Sequence, residues 1–298
     1  MKIVCIGNAS YDITMPVSQY PEENTKIRVP EMIECGGGPA SNAAYLLGKW
    51  NTDVYFLGIV GNDSHGNWIK KELNNMGVHV DYLEINPKYK TPASYIIASS
   101  AKGTRTVLTH RMPMEMKKVS LSFAPDYILL DGQEYTMSKK LLKEYPNAVS
   151  IIDAGRNEKE VLELCSICNY VVCSKYFAEQ VTDKKFDFTK NETIREIYLT
   201  LKQMFPGKII VTLEERGSLY EKDGVIKIMP SIKVKPVDST GAGDIFHGAF
   251  VYGLMKRYDI EKILKIANVA GALSTQKIGG RFSVPSKEDI RKIIRDFK

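Results

Sequence analysis

Apolar positions along the chain fall into two periods. Short runs rich in β-branched residues, "KIVCIG", "DVYFLGIVG", "DYILLDG", "AVSIIDAG", "NYVVCS" and "KIIVTLEERG", are bounded by Gly, Asp or Ser and predict buried strands. Between them apolar residues recur at helical spacing over 39–50, 64–76, 137–145, 157–165, 175–182 and 191–204. After residue 241 nearly everything reads as helix, over 242–256, 259–276 and 286–297. Strands that alternate with helices pack as a parallel sheet with helices on both faces, so the fold class is α/β.

Two stretches break this rhythm. Residues 16–35 and 86–112 carry the strand-like pieces "KIRVPEMIEC", "ASYIIASS" and "TRTVLTHR" with no helix between them. Such pieces usually pair as a small antiparallel sheet. Pattern alone leaves open whether it extends an edge of the main sheet or covers a cleft as a lid.

Composition changes the picture only by exclusion. At 298 residues the chain is long enough for one large α/β domain or two smaller ones. No run of about 18 apolar residues exists, so no transmembrane helix is expected. The first apolar run, Ile3 to Ile6 with its flanks, is too short for a signal-peptide core and reads as a strand, which makes a cytoplasmic location the default expectation. The net charge of +6 is mild for this length. Its most basic segments, "MKRYDIEKILK" and "SKEDIRKIIRDFK", alternate with apolar residues as solvated helix faces do, so no nucleic-acid partner is expected. A small surplus of this sign suits a phosphorylated small molecule. The five cysteines form no disulfide framework, and "CSIC", with Cys165 and Cys168, lacks the second pair of a zinc site. They read as core thiols. His65, His79, His110 and His247 show no ligand spacing.

The candidate chemistry lies where strands lead into helices, the place where open parallel sheets bind ligands. "GNASYD" puts Asp12 shortly after the first strand; "CGGGPASNAA" opens a helix with three glycines and carries Asn42; "VDSTGAGDIFHGAF" opens another. A glycine-rich helix entry presents backbone N–H groups at a positive dipole end, which suits an anion. No G-x-x-x-x-G-K-[ST] is present, and no G-x-G-x-x-G follows the first strand, so neither a P-loop nor a dinucleotide fold is supported. An isolated N-terminal aspartate would only favour the helix dipole, by about 0.3–1 kcal/mol. Asp244 follows Gly241, Ala242 and Gly243, and a carboxylate beside an anion hole repels phosphate unless it has its own task. Taking a proton from an attacking hydroxyl while the amides hold negative charge is such a task, and phosphoryl transfer needs both.

"DSTGAGD" (238–244) matches the signature of the ribokinase (PfkB-type) family of sugar and nucleoside kinases. "GGGPASNAA" and "GNDSHG" resemble that family's N-terminal landmarks, "VTLEERGSL" the segment bordering ATP, and "GGRFSVPS" the loop that closes it. The resemblance runs from residue 2 to about 295. It implies a single kinase domain over 1–298 with a three-layer ribokinase-like fold: a mostly parallel central sheet with helices on both faces, and a small antiparallel β lid often shared in a homodimer. It implies that Asp244 is the general base and that the amides of Gly241, Ala242 and Gly243 form the anion hole. Asp12, Gly37, Gly38 and Asn42 match positions that hold sugar hydroxyls. Thr212, Glu214, Gly217 and Asn268 match the ATP-contacting segment and helix. Asp238, Gly279 and Ser283 lie where several members bind potassium. Arg105 in "GTRTV" either reaches the substrate from the lid or is a solvated strand arginine.

Two departures stand out. Where the family carries N-x-x-E to organise magnesium, this chain has Ser174 and Phe177, with Glu179 two residues beyond, and a glycine usual in the ATP segment is Glu214. The resemblance implies transfer of the γ-phosphate of Mg-ATP to a sugar hydroxyl. "GGGPASNAA", "LLDGQE", "IIDAGR" and "SKYFA" look most like fructokinase and ketohexokinase-type members, so a ketose such as fructose is favoured. Ribose, a nucleoside or a phosphorylated sugar are the alternatives, as is a sugar-binding or regulatory homologue that has lost transfer.

Overall fold

The computed structural model describes residues 1–99, 101 and 104–297. The positions of the expected lid segment at 100, 102 and 103 lie outside the described residues.

The main sheet is built from β1 (Lys2–Ile6), β4 (Asp53–Gly61), β5 (Leu83–Asn86), β8 (Tyr127–Leu130), β9 (Val149–Ala154), β10 (Tyr170–Ser174), β11 (Lys208–Thr212), β12 (Ser218–Lys222) and β13 (Val225–Met229). Their order across the sheet is β13-β12-β11-β10-β9-β8-β1-β4-β5. All pairings from β11 to β5 are parallel, and only the β12–β13 end is antiparallel. Alternate residues of one strand face opposite layers. Ile3 and Cys5 join a core with helices α1 (Pro39–Lys49), α2 (Ser64–Asn75), α7 (Ala242–Met255), α8 (Ile260–Ser274) and α9 (Lys287–Ile293). Val4 and Ile6 face α3 (Tyr135–Glu144), α4 (Lys159–Cys165), α5 (Lys175–Thr182) and α6 (Asn191–Met204). The five cysteines are free and buried, as core thiols are.

The small sheet has the order β3-β2-β6-β7, from β2 (Ser10–Val17), β3 (Ile33–Gly37), β6 (Ala93–Ser99) and β7 (Thr104–His110). Its outer pairings, β2–β3 and β6–β7, are antiparallel, whereas the central β2–β6 pairing is parallel. "GNDSHG" ties this sheet to the frame: the Asp63 carboxylate caps α2 through Gly66 N at 2.8 Å and also accepts from Thr91 N at 3.0 Å, just before β6.

Several elements differ from expectation for identifiable reasons. Only the last residues of "KIRVPEMIEC" form a strand; the preceding segment, interrupted by Pro30, is mostly exposed and unpaired in either sheet. Residues 10–17, to which the sequence pattern assigns no element, are β2, and Pro16 is tolerated because it falls beyond the Ser10–Thr14 pairing with β3, where its missing N–H costs no ladder bond. The run 208–217 stops as a strand at Thr212, turns once as a 3₁₀ helix at Glu214–Arg216, and is followed by the β12–β13 hairpin. Asp223 and Gly224 at its tip both have positive φ, 52° and 76°, the backbone that an Asp-Gly hairpin turn supplies. Helix α9 ends at Ile293, short of residue 297.

Candidate functional site

The chain leaves β1 in the middle of the sheet, adds β4 and β5 on one side, and then β8 onward on the other. This makes the gap between β1 and β8 a topological switch point, and ligand crevices form at the carboxyl ends of strands beside such points. Asp131 follows β8 there, accepting from Asn8 N at 2.8 Å, Gln133 N at 2.9 Å and Ala40 N at 3.2 Å. The loop after β1, the loop after β8 and the entry to α1 are thus held by one buried carboxylate.

At that entry Gly38 is the N-cap of α1 with φ 95°, a conformation that side chains rarely adopt, and a Cβ on it would overlap Asn8 O. A Cβ on Gly37 would overlap the carboxylate of Asp12, which sits in β2 rather than in a loop. Asp12 is buried and accepts from Ser10 Oγ at 2.8 Å; burial raises its carboxyl above the usual carboxylate range, and bonds from Ser10 and Ser94 oppose that rise.

Asn42, one turn into α1, donates from Nδ2 to Asp244 Oδ2 at 2.8 Å. The two motifs, 202 residues apart, therefore meet side chain to side chain. Asp244 lies in the first turn of α7, behind Gly241, the N-cap, whose φ of 77° requires glycine. The leading N–H groups of a helix have no intrahelical acceptor, so Gly243 and its neighbours present donors. The Ala242 amide is partly engaged, 3.3 Å from Ser239 O. A Cβ on Gly243 would meet no atom within 4 Å, so this side of the turn faces open space. Arg105 reaches from β7 to this turn and donates to Ser239 Oγ at 2.6 Å.

Asp244 is only partly exposed, and its carboxyl is pushed up to about 7, first by burial and then by the charge of Asp153. Asp153, near the end of β9, is itself pushed up to about 8, by burial and by Asp131. His247, one turn along α7, contacts Asp153: Nδ1 is 2.6 Å from Gly243 O and 3.4 Å from Asp153 Oδ2, and Nε2 is 3.2 Å from Val172 O. Burial holds its imidazole below the usual histidine range.

Beside Gly241, Asp238 accepts from Thr240 N at 2.9 Å and Thr240 Oγ1 at 2.6 Å through one oxygen, and from Gly279 N at 2.9 Å through the other. Ser283 Oγ donates towards the carbonyls of Gly279 and Gly280 at 3.3 and 3.2 Å. These three expected cation residues are brought together, and their oxygen-only donor set suits a hard monovalent ion.

Thr212, Gly217 and Asn268 gather around β12. Thr212 pairs with Ser218 across the sheet, a Cβ on Gly217 would overlap Met229 O, and Asn268 Nδ2 donates to that carbonyl at 3.0 Å and to Ser218 Oγ at 3.2 Å. The Asn268 amide hydrogens are thus directed at protein acceptors. Glu214 stands with φ 57° and its exposed carboxylate 3.7 Å from Lys175 Nζ. The site of the family's usual glycine needs left-handed backbone, and the glutamate accepts that conformation with its side chain directed to Lys175. Ser174 Oγ caps α5 by accepting from Phe177 N at 3.1 Å, Phe177 is fully buried, and Glu179 pairs with Lys185 at 3.0 Å. This stretch offers no carboxylate fit to hold magnesium. Two clefts, of about 650 and 710 Å³, lie elsewhere, along the 16–31 segment and at the amino ends of β8–β11.

Sequence reasoning singled out neither Asp131, Asp153 and His247 nor Arg281, which donates to Asn42, and its partners Glu72 and Ser41. Asp131 and Asp153 carry a readable signal, an aspartate closing an apolar strand run. His247 and Glu72 sit in helical patterns that give no such signal.

Among curated proteins, the chain is 25% identical to a ribokinase from Bacillus subtilis over 99% of this chain and 100% of that one. It superimposes on a provisionally assigned ribokinase from Agrobacterium tumefaciens with a TM-score of 0.89 at 22% identity, covering 99% and 97% of the two chains. It also superimposes on Arabidopsis thaliana ribokinase complexed with ribose and ATP, with a TM-score of 0.78 at 21% identity over 99% and 98%. Residues 1–287 match the family described as pfkB family carbohydrate kinase, and the chain therefore belongs to the pfkB carbohydrate kinases, ATP-dependent enzymes of the ribokinase-like kind.

Proposed function

We propose that the chain transfers the γ-phosphoryl group of ATP to a hydroxyl of a small sugar, with Asp244 as general base. The observation that carries this reading is the 2.8 Å bond from Asn42 to Asp244, which joins the polar α1 entry to the open turn of α7. Asp244 takes the hydroxyl proton as that oxygen attacks the γ-phosphorus. The bond to the ADP oxygen breaks, and the amides of Gly241, Ala242 and Gly243 bear the negative charge. A carboxyl pushed up to about 7 is a stronger base than an ordinary aspartate and is still available near neutrality. Asp12, Asn42 and the main chain at Gly37 and Gly38 hold sugar hydroxyls, and Arg105 closes over them from β7. Thr212, Glu214, Gly217 and Asn268 border the nucleotide, with Asn268 acting through the backbone it fixes. Magnesium enters with ATP as part of the substrate. Asp238, Gly279 and Ser283 hold a monovalent cation that stiffens the turn.

The sequence motifs favour a ketose such as fructose, whereas the similar proteins named above are ribokinases. We take ribose-class pentoses as the first substrates to expect. Every residue of β7, the edge strand of the small sheet, is exposed, including Val107 and Leu108, which favours pairing of two copies through this sheet. ADP release measured against pentoses, ketohexoses and nucleosides tests the reading. A pentose or ketose should raise turnover above the ATP-only rate, and no acceleration by any acceptor would overturn transfer.

A further inference from the structure

Arg281 lies in the loop Gly279–Ser283 with 2% of its surface exposed. Its Nε donates to Asn42 Oδ1 at 3.1 Å, Nη1 to Glu72 Oε2 at 2.5 Å, and Nη2 to Ser41 Oγ; the group lies 5.1 Å from the centre of the Tyr45 ring. The same Glu72 oxygen accepts from Gly36 N at 2.8 Å, and a Cβ on Gly36 would overlap the guanidinium. The first glycine of "CGGG" is therefore small because Arg281 occupies its side-chain space. One buried cation holds β3, α1 and α2 to the loop that also binds Asp238 through Gly279 N.

An asparagine amide presents an acceptor on one side and donors on the other. With its oxygen held by a permanent cation, Asn42 can offer only its NH₂ group to Asp244. Without that hold the amide can turn over and set its oxygen against the carboxylate, which repels it. We propose that Arg281 is a positioning residue: it fixes the Asn42 amide so that Asn42 donates to Asp244, and it thereby couples the 279–283 loop to the base. This rests on the kinase reading, since the coupling matters only if Asp244 accepts the hydroxyl proton. Arginine suits the role because its planar fork reaches Asn42, Glu72 and Ser41 at once, which a lysine ammonium cannot do.

Arg281→Lys keeps the charge beside Glu72 and is the variant chosen, because removing the charge would strand a buried carboxylate. The experiment is a double-mutant cycle in steady-state kinetics, with Arg281→Lys, Asn42→Ala and the pair, alongside thermal melting of each. Arg281→Lys should keep most of the melting temperature, while kcat falls about tenfold to a hundredfold, the scale of a small misplacement of reacting groups, and sugar KM, which also depends on Asn42, rises by a smaller factor. In the Asn42→Ala background the same change should leave kcat within about twofold, because its target is gone. Should Arg281→Lys fail to fold, the cycle is run with Arg281→Gln combined with Glu72→Gln, which removes both charges together. Losses in kcat that multiply in the double variant overturn the proposal, as does a kcat near that of the unaltered chain in Arg281→Lys. Failure of the kinase reading would look different: the unaltered chain itself would show no acceptor-stimulated ADP release.

Discussion

Two helices in this chain begin on glycine-rich turns, and the space beside their glycines is used in opposite ways. At the entry to α1, side chains on Gly36 and Gly37 would overlap Arg281 and Asp12, so the protein's own charged groups fill that space. At the entry to α7, a side chain on Gly243 would meet nothing within 4 Å, and one on Gly241 would come no nearer than 3.4 Å to Asn42 Nδ2. The first turn is a packed support for polar side chains. The second leaves backbone donors facing open space with a carboxylate beside them. Glycine content is the same kind of signal in both, and only the surroundings separate a support from a cradle.

The largest effect should come from the carboxylate that only the open turn carries. Asp244→Asn should lower turnover about 10²–10⁴-fold, the usual share of a general base, while a binding titration finds sugar affinity kept. Near-normal turnover would remove Asp244 from the chemistry.

The packed turn should respond in stability instead. Gly37→Ala should destabilise the fold by about 1–3 kcal/mol through overpacking against Asp12, and weaken sugar binding with it, as read by chemical denaturation and titration. An unchanged midpoint would mean that Asp12 moves aside freely.

A smaller effect follows from the charges around the open turn. kcat should rise with pH across the neutral range as the buried Asp244 and Asp153 pair loses its protons, and Asp153→Asn should move that rise to lower pH, because Asp244 then ionises with no second carboxylate beside it. The same carboxyls bear on stability. Between the unfolded value of about 4 and the folded values of about 7 and 8, the folded form keeps protons that the unfolded chain has lost. Stability contributed by these groups therefore falls as pH rises across that window, and Asp153→Asn should flatten the fall. A pH profile unmoved by the substitution would contradict this.

The smallest effect belongs to neither turn and serves as the reference. Glu214→Gly should stabilise the fold by up to about 1 kcal/mol, because glycine adopts a φ of 57° without the penalty a side chain carries, less its own entropy cost. The lost contact with Lys175 is exposed and contributes little. A lower melting temperature would show that the glutamate holds the turn.

The parallel frame was legible because buried strands such as "KIVCIG" and helices such as 191–204 each bury a periodic face that local sequence must supply. The small sheet was less so. β2 begins three residues after Gly7, which follows β1, and gains its partners from β3 and β6, further along the chain. The hairpin tip "KDGV" did carry its Asp-Gly signal, but the strands on either side, "SLYEK" and "VIKIM", are short and only partly apolar. In the site, the "GAGD" turn announced itself through glycines beside an acid. Arg281 and Glu72 did not, because their importance comes from whom they meet across three elements, and one arginine in a glycine loop says nothing of that.

The most direct test of the division between the two turns is Gly243→Ala, read by melting temperature and turnover on the same preparation. The open space beside Gly243 and the helix preference of alanine predict a melting temperature unchanged or raised, by up to about 1 kcal/mol of stability, with turnover lowered at least about tenfold by a methyl group among the donors. A variant that melts lower yet turns over at the full rate would contradict the account.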